Sequence, residues 1–585
     1  MLVSLEQRPT PDASCEESQV WSGILVNVRV VAERVLGQNI VMKKYPWHWL
    51  ETPAPHHLRY AKGGYWQNKT IADLACELAE ADPDALMFLN ETRPATRATI
   101  IAEAEALCVA MAELGLVKGD VISFQTPNWI EAAVINLAAA LSGLVINPIV
   151  TIYRDAEVGI MLGDSRARML FLCASFRNYD YAAMIERLRP NLPDLEHVVL
   201  LRGERGGMLN FDDLVAAGAG RAFARPKVAA DSVKLLLYTS GTTGRPKGVL
   251  HSHNTLARAV QNSGHYWGIK PGDAMIMPSP VTHISGYSNG LEAPFLLGTK
   301  TVLMESWNVE AALKLIEQYG VVGTVAATPF LIELANAARA AGKTLPSLKF
   351  FACGGAAVPP DVIPSANSAF ANAQAFRVFG SSEVPLVTYG YPDEKDEHLA
   401  ATTDGAIVDY DVRIVDDNGV DVTAGGEGEI LARGPAMFMG YADRQQTAEA
   451  ITADGYFKTG DLGCVTPEGA VLITGRKKDL IIRGGENISA KEIEDVLHSH
   501  PAIAEASVVA MPHPRLGEGI CAYIILKSDA AADSASLVAH IIESGLAKQK
   551  IPERFEFVPE FPKTASGKIR KDLLRAQIKA LLDAV

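Results

Sequence analysis

Tyr238-Thr239-Ser240-Gly241-Thr242-Thr243-Gly244-Arg245-Pro246-Lys247-Gly248 decides how the rest of this chain is read. It grows out of residues 233–238, an apolar stretch with the length and composition of a buried strand. The ten positions from Thr239 to Gly248 hold three glycines, four hydroxyl side chains and two cations. Glycines let backbone N–H groups turn toward a ligand. Hydroxyls donate hydrogen bonds, and Lys and Arg neutralise anionic charge. The loop is therefore suited to a polyphosphate. It is not a Walker loop, because Gly248 follows Lys247 where that loop has Ser or Thr.

Working outward, 585 residues are too many for one core, so at least two domains are expected. An apolar share of 48% and a charged share of 21% describe a folded, soluble chain. With 54 Lys and Arg against 68 Asp and Glu the formal charge is −14, which argues against a nucleic-acid partner. A nucleotide site in such a chain must make its own local positive field. The seven cysteines are scattered and never form C-x-x-C, the usage of a reducing compartment without disulfides or a zinc site. No apolar run reaches the roughly 18 residues of a transmembrane segment. The N-terminus lacks the layout of a secretory signal, so a cytoplasmic location is expected.

Residues 1–45 match no motif and are read as an N-terminal extension of unknown role, with Met42 as an alternative start. Strand and helix patterns alternate over 71–201, including a helix over 99–114 and strands over 120–125 and 169–173. The alternation resumes over 231–390. Between 400 and 475 the texture changes to short strands with turn signals, among them Asn418-Gly419, read as a tight primed hairpin turn. Beyond Gly475-Arg476-Lys477-Lys478-Asp479, read as a hinge, lies a small α+β unit. Its first helix, opened by a Ser489–Glu492 capping box, runs to about His498. The fold class expected is α/β. A large N-terminal domain, 46–477, comprises two α/β-layered subdomains (46–230 and 231–395) and a small β-barrel-like subdomain (396–477). A small mobile α+β C-terminal domain follows over 478–585.

Further runs carry chemistry. Cys353-Gly354-Gly355-Ala356 is a small-residue turn, and Phe379-Gly380-Ser381-Ser382-Glu383 places a carboxylate after a strand end. Beside phosphates a carboxylate makes sense as a Mg2+ ligand. Tyr456-Phe457-Lys458-Thr459-Gly460-Asp461 ends in an Asp able to accept from both ribose hydroxyls. Pro562-Lys563-Thr564-Ala565-Ser566-Gly567-Lys568 presents a cation near the C-terminus, and His283 stands in a His-x-x-Gly element. In this order, from about Asp231 to Lys568, these runs resemble the adenylate-forming (ANL) superfamily and within it the AMP-forming acyl-CoA synthetases, or carboxylic acid–CoA ligases.

The resemblance implies ATP, Mg2+ and coenzyme A as cofactors and a small-molecule carboxylic acid as substrate. Thr239, Ser240, Gly241, Thr242, Thr243, Gly244 and Lys247 would bind phosphates; Gly354, Gly355, Ala356 and Phe379 would lie along adenine. Gly380, Ser381 and Ser382 would form the α-phosphate turn, and Glu383 with Thr243 would hold Mg2+. Asp461 and Arg476 would contact ribose or phosphate, and Lys568 would reach the α-phosphate in the first step only. His283 would orient the carboxylate or exchange places with the thiol. Lys478 would be the hinge, and Gly484 and Gly485 would let the pantetheine arm pass. The catalytic set is Lys568, His283, Thr243 and Glu383. A homodimer, and a lysine acetyltransferase acting on Lys568, are further partners expected.

Ser285, Tyr287, Ser288 and Asn289 follow His283 with no carboxylate among them, which disfavours an α-amino acid. Apolar residues at 325–330 and 384–385 favour a hydrophobic acid: medium-chain, alicyclic or aryl. The run 146–154 resembles ligases for alicyclic acids. Competing readings are a stand-alone adenylation enzyme loading a carrier protein, a luciferase-like oxygenase, and a non-catalytic nucleotide-binding protein.

Overall fold

The computed structural model describes residues 45–91, 93–239, 246–355, 358–359, 361–484, 486–528, 530–564 and 567–583. Residues Met1–His48 and Trp49–Val585 form separate units. Of the first, 45–48 make a turn in which the His48 amide donates to the Tyr45 carbonyl at 3.0 Å. The second carries four principal sheets.

An eight-stranded sheet runs in the order Gly440–Tyr441, Lys247–Ser252, Val233–Thr239, Val145–Pro148, Val121–Gln125, Met169–Cys173, His197–Leu201, Leu209–Asn210. Strands Val121–Gln125 and Met169–Cys173 are buried at every residue. This is the continuous pattern of parallel strands covered on both faces. A seven-stranded sheet runs Gln374–Val378, Phe350–Gly354, Val321–Ala326, Ala274–Met277, Lys300–Leu303, Leu86–Leu89, Pro94–Thr96, parallel except at the last pair. The two sheets do not divide the chain at residue 230. Leu86–Leu89 pairs with Lys300–Leu303, while Leu235 pairs with Ile146, so each sheet borrows strands from across that point.

The helix expected over 99–114 is Arg97–Glu113, capped by Thr96, whose hydroxyl accepts from the Thr99 amide. The strand before the Gly/Thr-rich loop is Val233–Thr239, and the chain returns antiparallel as Lys247–Ser252, with Lys247 opposite Thr239. The two strands pair as a β-hairpin, and the next helix, His253–Tyr266, starts only after Ser252 caps it.

The short strands of the third region form a four-stranded antiparallel layer, Asp411–Val415, Gly428–Arg433, Phe457–Val465 and Val471–Arg476, in chain order. The Asn418-Gly419 turn departs from expectation. Gly419 has φ +77°, but Asn418 is not left-handed. Gly419 N donates to Asp416 O at 2.9 Å and Asp416 N to Val420 O at 3.0 Å. This is a three-residue loop with one left-handed glycine, not a primed two-residue turn. Asp416 favours it by accepting the amides of Asn418 and Val420 on its carboxylate.

The C-terminal sheet holds Glu486–Ser489, Leu480–Arg483, Gly517–Leu526, Ile503–His513 and Arg554–Phe557. Helices Ala490–His498, Ser534–Glu543 and Lys571–Asp583 accompany it. A core that includes Ile481, Ile493, Leu497, Val508, Ile524 and Leu537 joins the sheet to the first two helices, and a second, with Val509, Tyr523, Leu574 and Ile578, holds Lys571–Asp583. The capping box at Ser489 does not form. Ser489 Oγ donates to the Thr474 carbonyl at 2.7 Å, and Glu492 pairs with Lys550 at 2.6 Å. A tertiary acceptor on Val471–Arg476 wins the hydroxyl, fastening this helix to the preceding sheet.

Candidate active site

The carboxyl ends of the parallel strands Ala274–Met277, Val321–Ala326, Phe350–Gly354 and Gln374–Val378 open onto one crevice, where ligands of open α/β sheets characteristically bind. The crevice holds a cavity of about 680 Å3, lined by residues from every candidate run that the structure describes except Gly484 and its neighbours. Ser240, Gly241, Thr242, Thr243 and Gly244 lie outside the described residues, as do Ala356 and Gly485. Thr239 and Lys247, which flank the loop, both line the cavity.

The strand end Phe379–Glu383 turns sharply. A Cβ at Gly380 would stand 2.4 Å from the Pro385 carbonyl oxygen, so only glycine fits. Ser381 Oγ donates to Glu383 Oε2 at 2.9 Å. Tyr441 OH donates to Glu383 Oε1 at 2.8 Å, and burial beside that carboxylate pushes the phenol well up. The Lys247 ammonium lies 5.0 Å from the same ring. His251 Nε2 donates to the Ser382 carbonyl at 2.7 Å; burial lowers this histidine to about 4, so it is a neutral positioning group.

Opposite, Gly354 and Gly355 form a floor. A Cβ on Gly354 would meet the Val378 carbonyl at 2.7 Å, and Gly355 has φ +80°. Lys568 Cε lies 3.9 Å from where a Gly355 Cβ would be. Lys568 comes from a tight loop closed by Thr564 N to Lys568 O at 2.7 Å and by Gly567 N to Thr564 O at 2.9 Å. Burial, then the Arg476 charge, lowers its ammonium to about 8, against the opposing pull of Asp461 and Glu383. Asp461 and Arg476 are cross-strand neighbours, and Arg476 Nε donates to Asp461 Oδ1 at 2.6 Å. The Asp461 carboxylate holds Arg476 above its ordinary value. Lys478 lines the cavity from the turn Lys477–Asp479, lowered by burial and by Arg476.

His283 Nδ1 lies 3.0 Å from Ser285 Oγ. Burial, then Lys568, lowers its imidazole to about 3, so it is neutral at working pH. Beyond it the wall is apolar, with Ile284, Val325, Ala326, Ala327, Pro385 and Leu386. Two sequence assignments change here. Val384 packs in the core rather than the pocket, and Phe330 packs against Trp307 at 5.0 Å. Tyr287 faces away, its OH 2.6 Å from Lys234 Nζ. Gly484, with φ +62°, stands in a turn bonded to Leu516, and Arg483 pairs with Glu553; neither lines the cavity.

Sequence reading missed Tyr441, which belongs to a strand far along the chain from Glu383 and follows no local spacing. It also missed Tyr153, which lines the cavity, and the contact through which His251 acts.

The profile described as "AMP-binding enzyme" matches residues 77–442, and that of the "AMP-binding enzyme C-terminal domain" matches 492–568. A medium-chain fatty-acid–CoA ligase of Escherichia coli is 34% identical over 89% of this chain and 92% of its own length. A vibriobactin-specific 2,3-dihydroxybenzoate-AMP ligase of Vibrio cholerae is 32% identical over 91% of this chain and 98% of its own length. Among solved structures, ATP-bound MatB from Rhodopseudomonas palustris aligns with a TM-score of 0.77 at 27% identity, covering 87% of this chain and 99% of that one. With both profiles matched in order and near full-length relatives in hand, the chain belongs to the AMP-binding enzyme family, the adenylate-forming (ANL) ligases.

Proposed function

We propose that this protein activates a hydrophobic carboxylic acid (medium-chain, alicyclic or aryl) with ATP and passes the acyl group to coenzyme A. A carboxylate oxygen attacks the α-phosphorus, the bond to the bridging oxygen breaks, and pyrophosphate leaves. The thiol sulfur of coenzyme A then attacks the acyl-AMP carbonyl, and AMP leaves. The observation that carries this reading is the placement of Lys568 over Gly355, in the field of Arg476, Asp461 and Glu383. There a preorganised ammonium offsets charge that grows as the mixed anhydride forms. Lys247 and the loop before it would hold the departing pyrophosphate.

His283, neutral, would orient the carboxylate. Asp461 would accept from ribose, and Gly354 and Gly355 would line adenine; Phe379, expected there too, packs in the same core as Val384 and is not part of the cavity lining. Among the described residues no three His, Cys, Asp or Glu side chains are placed to hold a metal ion by themselves. Mg2+ commonly takes one or two carboxylates and completes its shell with phosphate and water oxygens. Glu383, facing the cavity with its oxygens oriented by Ser381 and Tyr441, fits that use. The bound ion would neutralise phosphate charge.

Lys568 serves the first step only, so the C-terminal domain, 478–585, would rotate about Lys478 and bring Gly484 and Gly485 to the cavity for the second. Acetylation of Lys568 by a lysine acetyltransferase would remove the charge the first step uses.

The test is pyrophosphate release over a panel of acids, with and without coenzyme A, and chromatography of the products. Pyrophosphate with at least one hydrophobic acid, and acyl-CoA only when coenzyme A is present, is the expected result. No pyrophosphate with any acid would refute it. The Vibrio cholerae relative, by name an AMP ligase, favours a second reading. Under it acyl-AMP persists in the presence of coenzyme A and is consumed only by a phosphopantetheinylated carrier protein.

A further inference from the structure

Behind the apolar wall of the main cavity lies a second, small one of about 30 Å3. It shares Ile284, Ser285, Val325, Pro385 and Leu386 with the main cavity, so it continues the acid end. A single water needs about 10–15 Å3 on this measure, so the space takes one or two non-hydrogen atoms and no longer chain.

Its lining is not uniformly apolar. Ser263 Oγ donates back to the Ala259 carbonyl at 3.1 Å, the usual outlet for a helical serine. Ser285 is engaged by His283, and Asn289 Nδ2 donates to the Ser285 carbonyl at 3.0 Å. Ser288 differs. It is 3% exposed, and its hydroxyl has no partner among the described residues. A buried hydroxyl left without a partner is costly, and here it belongs to a residue lining the end of the acid pocket.

Ser288 is also held in place. It lies in a π-helical stretch, Tyr287–Glu292, an irregularity that clusters at functional sites. Both ends of that stretch are tied to one buried lysine. Lys234 Nζ lies 2.6 Å from Tyr287 OH and 2.8 Å from Glu292 Oε1. The ties turn Tyr287 away from the pocket and fix the backbone that carries Ser288.

We infer that the acid this protein activates carries a hydroxyl at the end remote from its carboxylate, and that the hydroxyl of Ser288, one of the residues lining the small cavity, receives it. This rests on the proposed acid activation and narrows its substrate class. A plain hydrophobic acid of the same size would leave Ser288 unpaired, which is how a site built for a hydroxyl rejects its analogue.

The experiment is the wild-type pyrophosphate-release rate for matched pairs: cyclohexanecarboxylic and trans-4-hydroxycyclohexanecarboxylic acids, benzoic and 4-hydroxybenzoic acids, hexanoic and 6-hydroxyhexanoic acids. In at least one pair the hydroxylated member is expected to have about tenfold higher kcat/KM. Ser288→Ala, checked for an unchanged melting midpoint, should bring that pair to within about twofold. Wild-type indifference, or preference for the plain acid in every pair, would overturn the inference while leaving acid activation standing. A preference that survives Ser288→Ala overturns the assignment to Ser288. Failure of all acids to release pyrophosphate would remove both.

Discussion

Lys568 is held near 8, well below an ordinary lysine, because it is buried beside Arg476. The direction of the shift fixes a pH dependence. Below about 8 the side chain is the ammonium that the proposed adenylation would use; above it the neutral amine accumulates. The kcat/KM for pyrophosphate release, which reports the free enzyme, should therefore fall by about tenfold per pH unit above 8. Lys568→Arg stays protonated throughout and should lose that alkaline limb, at whatever lower rate it retains. An unchanged limb in the Arg variant would assign it to another group. Lys234 makes a prediction about stability. Its ammonium is 2.8 Å from Glu292 Oε1, and both side chains are essentially unexposed. Lys234→Met leaves Glu292 buried without its cation and should destabilise by roughly 3–5 kcal/mol, read as a fall in melting midpoint. Adding Glu292→Leu should restore most of the loss, since a buried pair replaced on both sides is often near neutral. If the double variant melts no higher than the single, the pair is not the cause. Residues of the catalytic runs were legible because their geometry is local: Gly380 must be glycine for contacts five residues away. Tyr441 and Lys234 were not legible, because what gives them meaning is a partner brought in by another strand or helix.

Strands read from apolar runs landed close to their observed ends, as in Met169–Cys173, because full burial leaves a continuous signal. Capping and turn chemistry was less legible. Ser489 carries a helix-start pattern, yet its hydroxyl goes to Thr474 on a neighbouring strand. Asn418-Gly419 promises a two-residue turn, yet the Asp416 carboxylate draws the chain into a longer one. Local propensity sets the options, and a nearby acceptor selects among them. The element proposed as the hinge is the turn Lys477–Asp479 between Val471–Arg476 and Leu480–Arg483. Lys477 pairs with Glu429 at 3.0 Å and Asp479 with Arg575, so the turn is tied to both sides. Lys478→Pro fixes φ in that turn. It should slow thioester formation more than pyrophosphate release, measured as separate half-reactions. Equal effects on both would place the pivot elsewhere.

Across the molecule, the strand ends of one sheet, a hairpin of another and a loop from the C-terminal unit meet at one cavity. The chain order of the candidate runs foretold that convergence; the exchange of strands between the two large sheets was not foretold, since strand pairing over long separations leaves no periodic trace. Lys568 stands in the cavity while Gly484 stands outside it, the arrangement that the proposed acyl-AMP step would use. The central claim is that this lysine serves that half-reaction alone. The most direct measurement is a pair of single-turnover rates for Lys568→Ala: acyl-AMP formation from acid and ATP, and acyl-CoA formation from supplied acyl-AMP. The account predicts a loss of about 10²–10³-fold in the first, the scale of one preorganised electrostatic group, with the second near wild type. Equal loss in both would contradict it.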